Sequence, residues 1–224
     1  MTLIMQKETD KLKKALLSLC ALVVNNVSKS VRAVMQKDSE AAYKVMANDR
    51  EIDSAEIEVE EECLKILALH QPVAGDLRFI IAVMKINNDL ERVGDLAVNI
   101  AENAIALAKL GNAPSPFDLS GMSEIVIDML NKSIDALINI DTELAHAVCQ
   151  MDDSVDKINR EMYSSVKNCI VSDPEKIDCL IHYLSISRHL ERIGDHATNI
   201  SEDIIYMNNG EIIRHKVRSN EPHS

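Results

Sequence analysis

Apolar residues recur every three or four positions along most of this chain, which is the spacing of one buried face of an α-helix. In the stretch from 86 to 104 the apolar positions are Ile86, Leu90, Val93, Ala97, Ile100 and Ala104. Segments rich in proline, glycine and small polar residues interrupt the pattern at 70–76, 111–121 and 172–174. The pattern predicts six helices, near residues 5–37, 39–70, 74–109, 120–140, 142–171 and 175–207.

The second half of the chain repeats the first. LERVGDLAVNIAE at 90–102 returns as LERIGDHATNISE at 190–202, and an earlier block matches with a shift of 103. The shift is 100 for the later block and 103 for the earlier one, so three residues were gained or lost between them, and turns tolerate such a change of length whereas packed helices do not. We place the change in the turn between the second and third helices of a unit, so each copy reads as three helices joined by short turns. We therefore predict an all-α fold of two tandem three-helix bundles related by an internal pseudo-twofold. The predicted units are 1–110 and 119–208, joined by a linker within 111–121 and followed by a polar tail at 209–224.

Composition narrows the classes of function. The chain has 224 residues, only 3% aromatic residues and no tryptophan, which agrees with a helical core of Leu, Ile, Val, Met and Ala. A net charge of −12 argues against binding to nucleic acid or to an anionic membrane surface. The most apolar run, 16–24, is too short to span a bilayer, and the five cysteines form no C-x-x-C pair. These features predict a cytoplasmic protein that could still dock on a membrane protein.

Acidic and amide side chains form one stripe along the third helix of each unit. At about 100° per residue, Glu91, Asp95, Asn99 and Glu102, which match residues 191, 195, 199 and 202 of the second unit, fall within about 80° of each other. The second helix of each unit carries a stripe of its own, with Asn159 and Tyr163 standing where the first unit has Glu56 and Glu60. The candidate site residues are Asp49, Asp53, Glu91, Asp95 and Asn99 in the first unit, and Asp152, Asp156, Glu191, Asp195 and Asn199 in the second.

The two stripes of each unit meet when the hairpin is folded. In an antiparallel helix pair, residues at the same level have numbers that add up to a constant. The residue numbers of the facing acids add up to 144 in the first unit and to 347 in the second. Half of each sum is the centre of the hairpin, which falls at Pro72 in the first unit and between Asp173 and Pro174 in the second, inside the predicted turns. Four carboxylates thus come to one level in each unit. Gly94 and Gly194, one position before each aspartate, would let the neighbouring helix approach closely.

Clustered carboxylates repel one another unless a cation lies among them. Oxygen ligands favour hard cations such as Mg, Ca, Mn or ferric iron, and Zn is also possible. Three hypotheses remain open: a regulatory protein with metal clusters and no enzymatic activity, a metal-free helical scaffold whose acids only provide solubility, and a metal-dependent hydrolase or oxidase. Because the acids lie opposite the apolar face, we expect them near the surface, which speaks against an enclosed catalytic site.

The motif LER[VI]GD followed by N and E, present twice, together with QPVAGDLR at 71–78, resembles the PhoU family of phosphate-transport regulators. The resemblance implies two three-helix bundles with multinuclear metal clusters at the surface. It also implies a homodimer that regulates phosphate uptake negatively. Its expected partners are the phosphate ABC transporter, through the ATPase subunit, and a sensor histidine kinase. Leu96 in place of His196, and Tyr163 in place of Glu60, suggest that the two clusters differ in ligands or in the number of ions.

Overall fold

The computed structural model describes residues 3–110 and 115–210, and the regular secondary structure within these ranges consists of helices alone. Each half contributes three long antiparallel helices, and one 3-10 turn, Pro174–Lys176, precedes the last of them. The helices are α1 (Leu3–Gln36), α2 (Ser39–His70), α3 (Ala74–Leu110), α4 (Leu119–Asn139), α5 (Thr142–Ser172) and α6 (Ile177–Asn209).

Aspartate side chains cap the equivalent second helices of both units. The Asp38 carboxylate accepts the backbone N–H of Ala41, and the Asp141 carboxylate accepts those of Glu143 and Leu144. These bonds satisfy amide groups that a helix start leaves without an intrahelical partner. The repeat therefore begins in the same way in both halves.

The predicted helix ends differ from the observed ends by at most two residues. α4 starts at Leu119, inside the predicted linker, because the Asp118 carboxylate caps it through the N–H of Gly121. The helix expected from residue 175 is preceded by the 3-10 turn Pro174–Lys176, where Lys176 Nζ lies 2.8 Å from Asp173 Oδ2. α6 includes Asn209, which the sequence assigned to the tail. Residues 111–114 of the linker and 211–224 of the tail lie outside the described residues.

The two units share one apolar core. The buried side chains of all six helices form a single continuous cluster, because α3 packs along α6 and α1 also touches α4. All six apolar positions named for the stretch from 86 to 104 are buried, as predicted. The five cysteines are free thiols. None of the helices in the described part of the chain has the length and apolar character needed to cross a membrane.

Polar contacts cross the interface between α3 and α6. Lys85 Nζ lies 3.2 Å from Oδ1 of Asp203, whose side chain is almost fully buried, and 5.1 Å from the centroid of the Tyr206 ring. At the other end, His182 Nδ1 lies 2.8 Å from Asn103 Oδ1. Buried charges and amides need such partners, because an unpaired polar group costs free energy in a core. The pairs also fix α3 antiparallel to α6.

Two carboxylate clusters as candidate metal sites

The first cluster lies between α2 and α3. The pKa of the Asp49 carboxyl is raised by burial, and further by the negative charges of Asp53 and Asp95. Burial also raises the pKa of Glu91, followed by the charge of Asp95 and, more weakly, that of Asp53. Such mutual effects require the carboxylates to be near one another. The structure thus brings together the four acids that the sequence placed at one level.

The second cluster lies between α5 and α6 and is buried more deeply at one position. The pKa of Asp152 is raised to about 7, first by burial and then by the charges of Asp195, Asp156 and Glu191. Oδ1 of Asp152 is buried and accepts no hydrogen bond from any described residue. The pKa of Glu191 is raised by burial and by Asp195 and Asp156, while Arg188 and Arg192 lower it.

Direct hydrogen bonds fix the register of both hairpins. Asn87 Nδ2 of α3 donates to the backbone oxygen of Glu56 at 3.1 Å and to its Oε1 at 2.8 Å. At the matching place in the second unit, Ser187 Oγ donates to Asn159 Oδ1 at 2.8 Å. Both pairs lie within one residue of the register deduced from the acids. The antiparallel alignment of the hairpins is therefore as predicted.

The two glycines allow the close approach of the helices. A methyl group added at Gly94 would lie 3.2 Å from Ile52 Cγ2 and 3.6 Å from Asp49 Oδ1. At Gly194 the nearest atom would be Asp152 Oδ1, at 3.3 Å. In both units, therefore, the bare helix backbone makes room for the first aspartate of the cluster, which agrees with the role predicted for these glycines.

The clusters are open to solvent and only partly neutralised by arginine. Arg92 lies 3.6 Å from Glu91 and 4.0 Å from Asp95, and the side chains of these two acids are 33% and 50% exposed. In the second unit, Arg160 lies 3.4 Å from Asp156. Exposed ion pairs of this length are weak. Most of the acidic charge is thus available to bind a cation from solution.

The two asparagines proposed as further ligands are placed differently from the acids. Asn199 Nδ2 lies 3.4 Å from Oδ1 of Asp89 on α3, which is also 2.7 Å from His196 Nδ1. Asn199 therefore contributes to the contact between the two units. Asn99 is half-buried, and its backbone oxygen accepts the Asn103 side chain at 2.7 Å.

Two residues that matter to the sites were not proposed from the sequence. Glu56 belongs to the first cluster, because its pKa is raised by burial and by Glu60 and Asp53, and because its own charge raises that of Glu91. Its place in the acidic stripe of the second helix was visible in the sequence. Cys149 lies near the second cluster, where burial and the charges of Glu202 and Asp152 raise its thiol pKa to about 11. No sequence pattern indicated that proximity.

The residues present suit a hard metal ion in their chemistry. Each cluster offers four carboxylates, and the buried, unpartnered oxygen of Asp152 is a ready ligand. Among the described residues, no three His, Cys, Asp or Glu side chains already converge at ligand distance. Without a cation the carboxylates repel one another and remain apart. Their side chains would have to rotate toward one another to complete the coordination of a bound ion.

A family model for the PhoU domain matches residues 16–104 and 119–204. The chain belongs to the PhoU family. It is 39% identical over 210 residues to a phosphate-specific transport system accessory protein PhoU homolog of Aquifex aeolicus, covering 94% of this chain and 95% of that protein. The homolog of Pseudomonas putida is 36% identical, covering 93% and 82%.

Solved structures of the family share the fold. The crystal structure of PhoU from Pseudomonas aeruginosa superposes with a TM-score of 0.90 at 35% identity, covering 92% of this chain and 99% of that one. The phosphate transport system regulatory protein PhoU from Streptococcus pneumoniae gives 0.83 at 30% identity, covering 93% and 98%. The tandem three-helix architecture is confirmed. These relatives carry accessory or regulatory names, and none carries the name of an enzyme.

Proposed function

We propose that this PhoU-family chain regulates phosphate uptake and phosphate signalling negatively, as a non-enzymatic protein with metal ions on its two carboxylate clusters. Its membership in a family of phosphate-transport accessory proteins supports the regulatory role. The observation that carries the metal proposal is that four acids meet at equivalent places in both units, where burial and the charges of the neighbouring acids raise the pKa values of Asp49 and Glu91 in the first unit and of Asp152 and Glu191 in the second.

The carboxylates of Asp49, Asp53, Glu91 and Asp95 would hold the ions of the first unit, and Glu56 extends that set. Asp152, Asp156, Glu191 and Asp195 would hold those of the second. Fe, Mn, Mg, Ca and Zn all accept carboxylate ligands. The bound cations would neutralise the repulsion and join the two helices of each hairpin, which makes the clusters a means of stabilising one conformation of the bundle.

The proposed partners are the ATPase subunit of the phosphate ABC transporter and a sensor histidine kinase, and the proposed location is the cytoplasm, with peripheral docking at the membrane through these partners. The name of the relatives, accessory proteins of a phosphate-specific transport system, supports a partner in that system. The net charge of −12 favours protein partners over nucleic acid or anionic lipid.

Deletion of the encoding gene tests the regulatory role. We expect the deletion strain to take up phosphate and to express phosphate-starvation genes even when phosphate is plentiful, and we expect the intact gene to restore repression. Uptake of labelled phosphate and a starvation-gene reporter measure the two effects. Purification of the tagged full chain from phosphate-replete cells should recover the ATPase subunit and the kinase. Unchanged repression in the deletion strain would refute the proposal.

Elemental analysis of the purified full chain tests the metal sites. We expect bound metal that falls in Asp49→Asn and in Asp152→Asn, and that stays unchanged in Glu143→Gln, an exposed acid outside the clusters. Protein that remains metal-free with each of the named cations would contradict the metal half of the proposal and leave the regulatory half standing.

A metal-free helical scaffold is the alternative, and one observation favours it: the described side chains do not yet converge on a common ligand point. In that case the full chain would still repress phosphate uptake. Replacement of cluster acids by their amides would then leave both repression and partner binding intact.

A further inference from the structure

Exposed apolar residues line the first turns of α3 on its solvent side. Asn87 of this helix bonds to α2 and Lys85 pairs with α6, and the solvent side lies between these two contacts. Leu77 is 39% exposed, Ile81 is 36% exposed, and Met84 is partly buried. The three residues follow one another at spacings of four and three, so they share one helix face. We call them the α3 strip.

The α3 strip leads directly to the first carboxylate cluster. Along the same side of α3 it is followed by the exposed Asn88 and then by the acids of that helix. The antiparallel register of the hairpin brings Glu60 of α2 level with Met84, the last residue of the strip. Arg92, which lies beside Glu91, neutralises only part of this charge. One face of the molecule therefore changes from apolar to acidic along α3.

The C-terminal segment of the chain starts at the apolar end of this face. α6 ends at its C-cap residue Gly210, where an added methyl group would lie 3.6 Å from Cζ of Arg78. Arg78 is the neighbour of Leu77 in the α3 strip. The residues that follow Gly210 have the sequence EIIRHKVR at 211–218, in which two isoleucines precede three basic residues.

We propose that residues 211–218 dock along the α3 strip of the same chain, with the two isoleucines on the strip and the three basic residues beside the acids of the first cluster. The order of residue types in the segment matches the order on the surface, because the apolar residues come nearest to Gly210 in both. Burial of exposed apolar side chains favours this contact, and so does attraction between opposite charges. The segment would thus supply internal counter-ions to the metal-free cluster.

The length of the segment fits the distance that it has to cover. From Arg78 to Glu91 the distance along α3 is about 20 Å, at about 1.5 Å per residue. An extended chain advances about 3.3 Å per residue, so Lys216 can lie about 20 Å from Gly210. By the same reasoning Arg218 can reach the level of Asp95. The basic residues therefore reach the cluster without any change in α6.

The second unit has a similar apolar surface but no basic segment beside it. At the equivalent places of α6, Ile177 is 42% exposed and Ile181 is 50% exposed. Because α3 and α6 are antiparallel, the chain that begins near these residues is the linker after Leu110. The linker sequence at 111–118, GNAPSPFD, contains no basic residue. The proposed counter-ions are therefore specific to the first cluster, and the second unit provides a matched control.

Docking of the segment would lower the affinity of the first cluster for metal. A cation that binds there has to displace the basic side chains, so the apparent affinity falls with the fraction of molecules in which the segment is docked. The docking itself goes beyond the proposed regulatory function. Only this effect on metal binding rests on the proposed metal sites.

Cross-linking of the metal-free full chain with a carbodiimide tests the docking. The reagent joins an amine to a carboxylate that touches it, and Lys216 is the one lysine in residues 211–224. We expect mass spectrometry to find Lys216 joined to Glu60, Glu91 or Asp95, with a yield about fivefold lower at about 1 M salt. Isotope-labelled and unlabelled chains, mixed before the reaction, distinguish links within one chain from links between copies. Absence of these links, or links between copies alone, would overturn the proposal.

Substitution of the α3 strip tests its part in the docking. The double variant Leu77→Gln with Ile81→Gln should lower the yield of the link by about threefold or more, because it removes the apolar contact. Ile177→Gln with Ile181→Gln is the matched control in the second unit and should leave the yield unchanged. Circular dichroism melting checks that both variants are folded. An equal loss in the control, or none in the strip variant, would contradict the assigned docking surface.

Binding of Mn²⁺ to the full chain, followed by the electron paramagnetic resonance signal of the free ion, tests the competition. Replacement of the three basic residues of the segment should raise the affinity by about fivefold or more. The substitutions are Arg214→Gln, Lys216→Gln and Arg218→Gln. The control removes three exposed basic residues of α1 and changes the net charge equally, so the affinity should stay within about twofold. Its substitutions are Lys7→Gln, Lys14→Gln and Arg32→Gln.

The two experiments separate this inference from the proposed metal sites. Equal Mn²⁺ affinities in the segment variant and the control would refute the competition and leave the metal sites standing. A chain that binds no Mn²⁺ or other named cation in any form would refute the metal sites and the competition together, while the cross-links of Lys216 would still decide the docking.

Discussion

The two carboxylate clusters are formed by equivalent positions of the two sequence repeats, but they differ in charge and in burial. α2 offers Glu56 and Glu60 beside its two aspartates, whereas α5 has Asn159 and Tyr163 at those positions. The number of acids alone would favour larger pKa shifts in the first unit. The pKa that rises furthest, to about 7, is nevertheless that of Asp152 in the second unit, and burial is its first cause. Removal of a carboxylate from water thus outweighs the presence of additional charged neighbours.

The hydrogen bonds that join the two helices of each hairpin also differ between the units. In the first unit a buried amide, Asn87, donates to a carboxylate, Glu56. In the second unit a hydroxyl, Ser187, donates to an amide, Asn159. Hydrogen bonds to charged groups are stronger than neutral ones. The first unit therefore combines more acids with a stronger hydrogen bond between its two helices, and the second combines fewer acids with deeper burial of one of them.

The largest expected effect is that of Asp152→Asn on metal-free protein. Ionised Asp152 is disfavoured in the folded state, because its pKa rises from 3.8 to about 7 on folding. The destabilisation is absent below pH 4, grows as the pH rises to 7 and is constant above that. The variant should therefore be more stable than the wild type at pH 8, by at most about 4 kcal/mol, and about equally stable at pH 4.

Urea unfolding in the presence of chelator, at pH 4 and pH 8, measures this difference. Asp49→Asn is the matched variant in the first unit and should have a smaller effect of the same sign. A gain in Asp49→Asn as large as that in Asp152→Asn would remove the contrast in burial on which the comparison depends.

Metal binding should give the next largest effect. A cation at about one hundred times its dissociation constant stabilises the folded protein by about 2.7 kcal/mol per site, which a thermal melt with and without chelator would show. Because Glu56 and Glu60 extend the first cluster, Asp49→Asn should lose more bound metal than Asp152→Asn. Equal losses, measured by elemental analysis, would indicate that the additional acids bind no metal.

Loss of the hydrogen bonds that join the two helices of each hairpin should have smaller effects on stability. Asn87→Ala should destabilise the protein by about 2 kcal/mol, since it removes a bond to a charged group, whereas Ser187→Ala should cost about 1 kcal/mol. Equilibrium urea unfolding at pH 7 gives both values. The exposed neighbour Asn88→Ala is the control and should have almost no effect. A greater loss in Ser187→Ala would reverse the assigned order.

The smallest effect should come from Arg92→Gln. Arg92 lowers the pKa of Glu91, so its removal should raise that pKa. The pair is exposed, and the loss of stability should be below about 1 kcal/mol. A carboxyl-resolved NMR titration follows Glu91 directly. A fall in its pKa would show that the arginine acts on the cluster in another way.

Most of the fold could be predicted from the sequence because helix formation depends on the local pattern of residues. The period of apolar residues predicted the helices, and the repeat predicted two units. Antiparallel geometry then brought Asp49 level with Asp95 and Asp152 level with Asp195. The contact of Asn199 and His196 with Asp89 was not foreseen, because it crosses between units that the repeat alone does not orient.

The sequence by itself determined which acids share a level, since residue number and helix geometry fix the register of a hairpin with a short turn. Only the tertiary structure decided how deeply each acid is buried, because burial depends on side chains far away in the chain. Met129 of α4, for example, approaches Gly194 beside Asp152. The packing of α3 on α6, which merges two repeats into one core, was likewise settled by the whole chain burying its apolar surface.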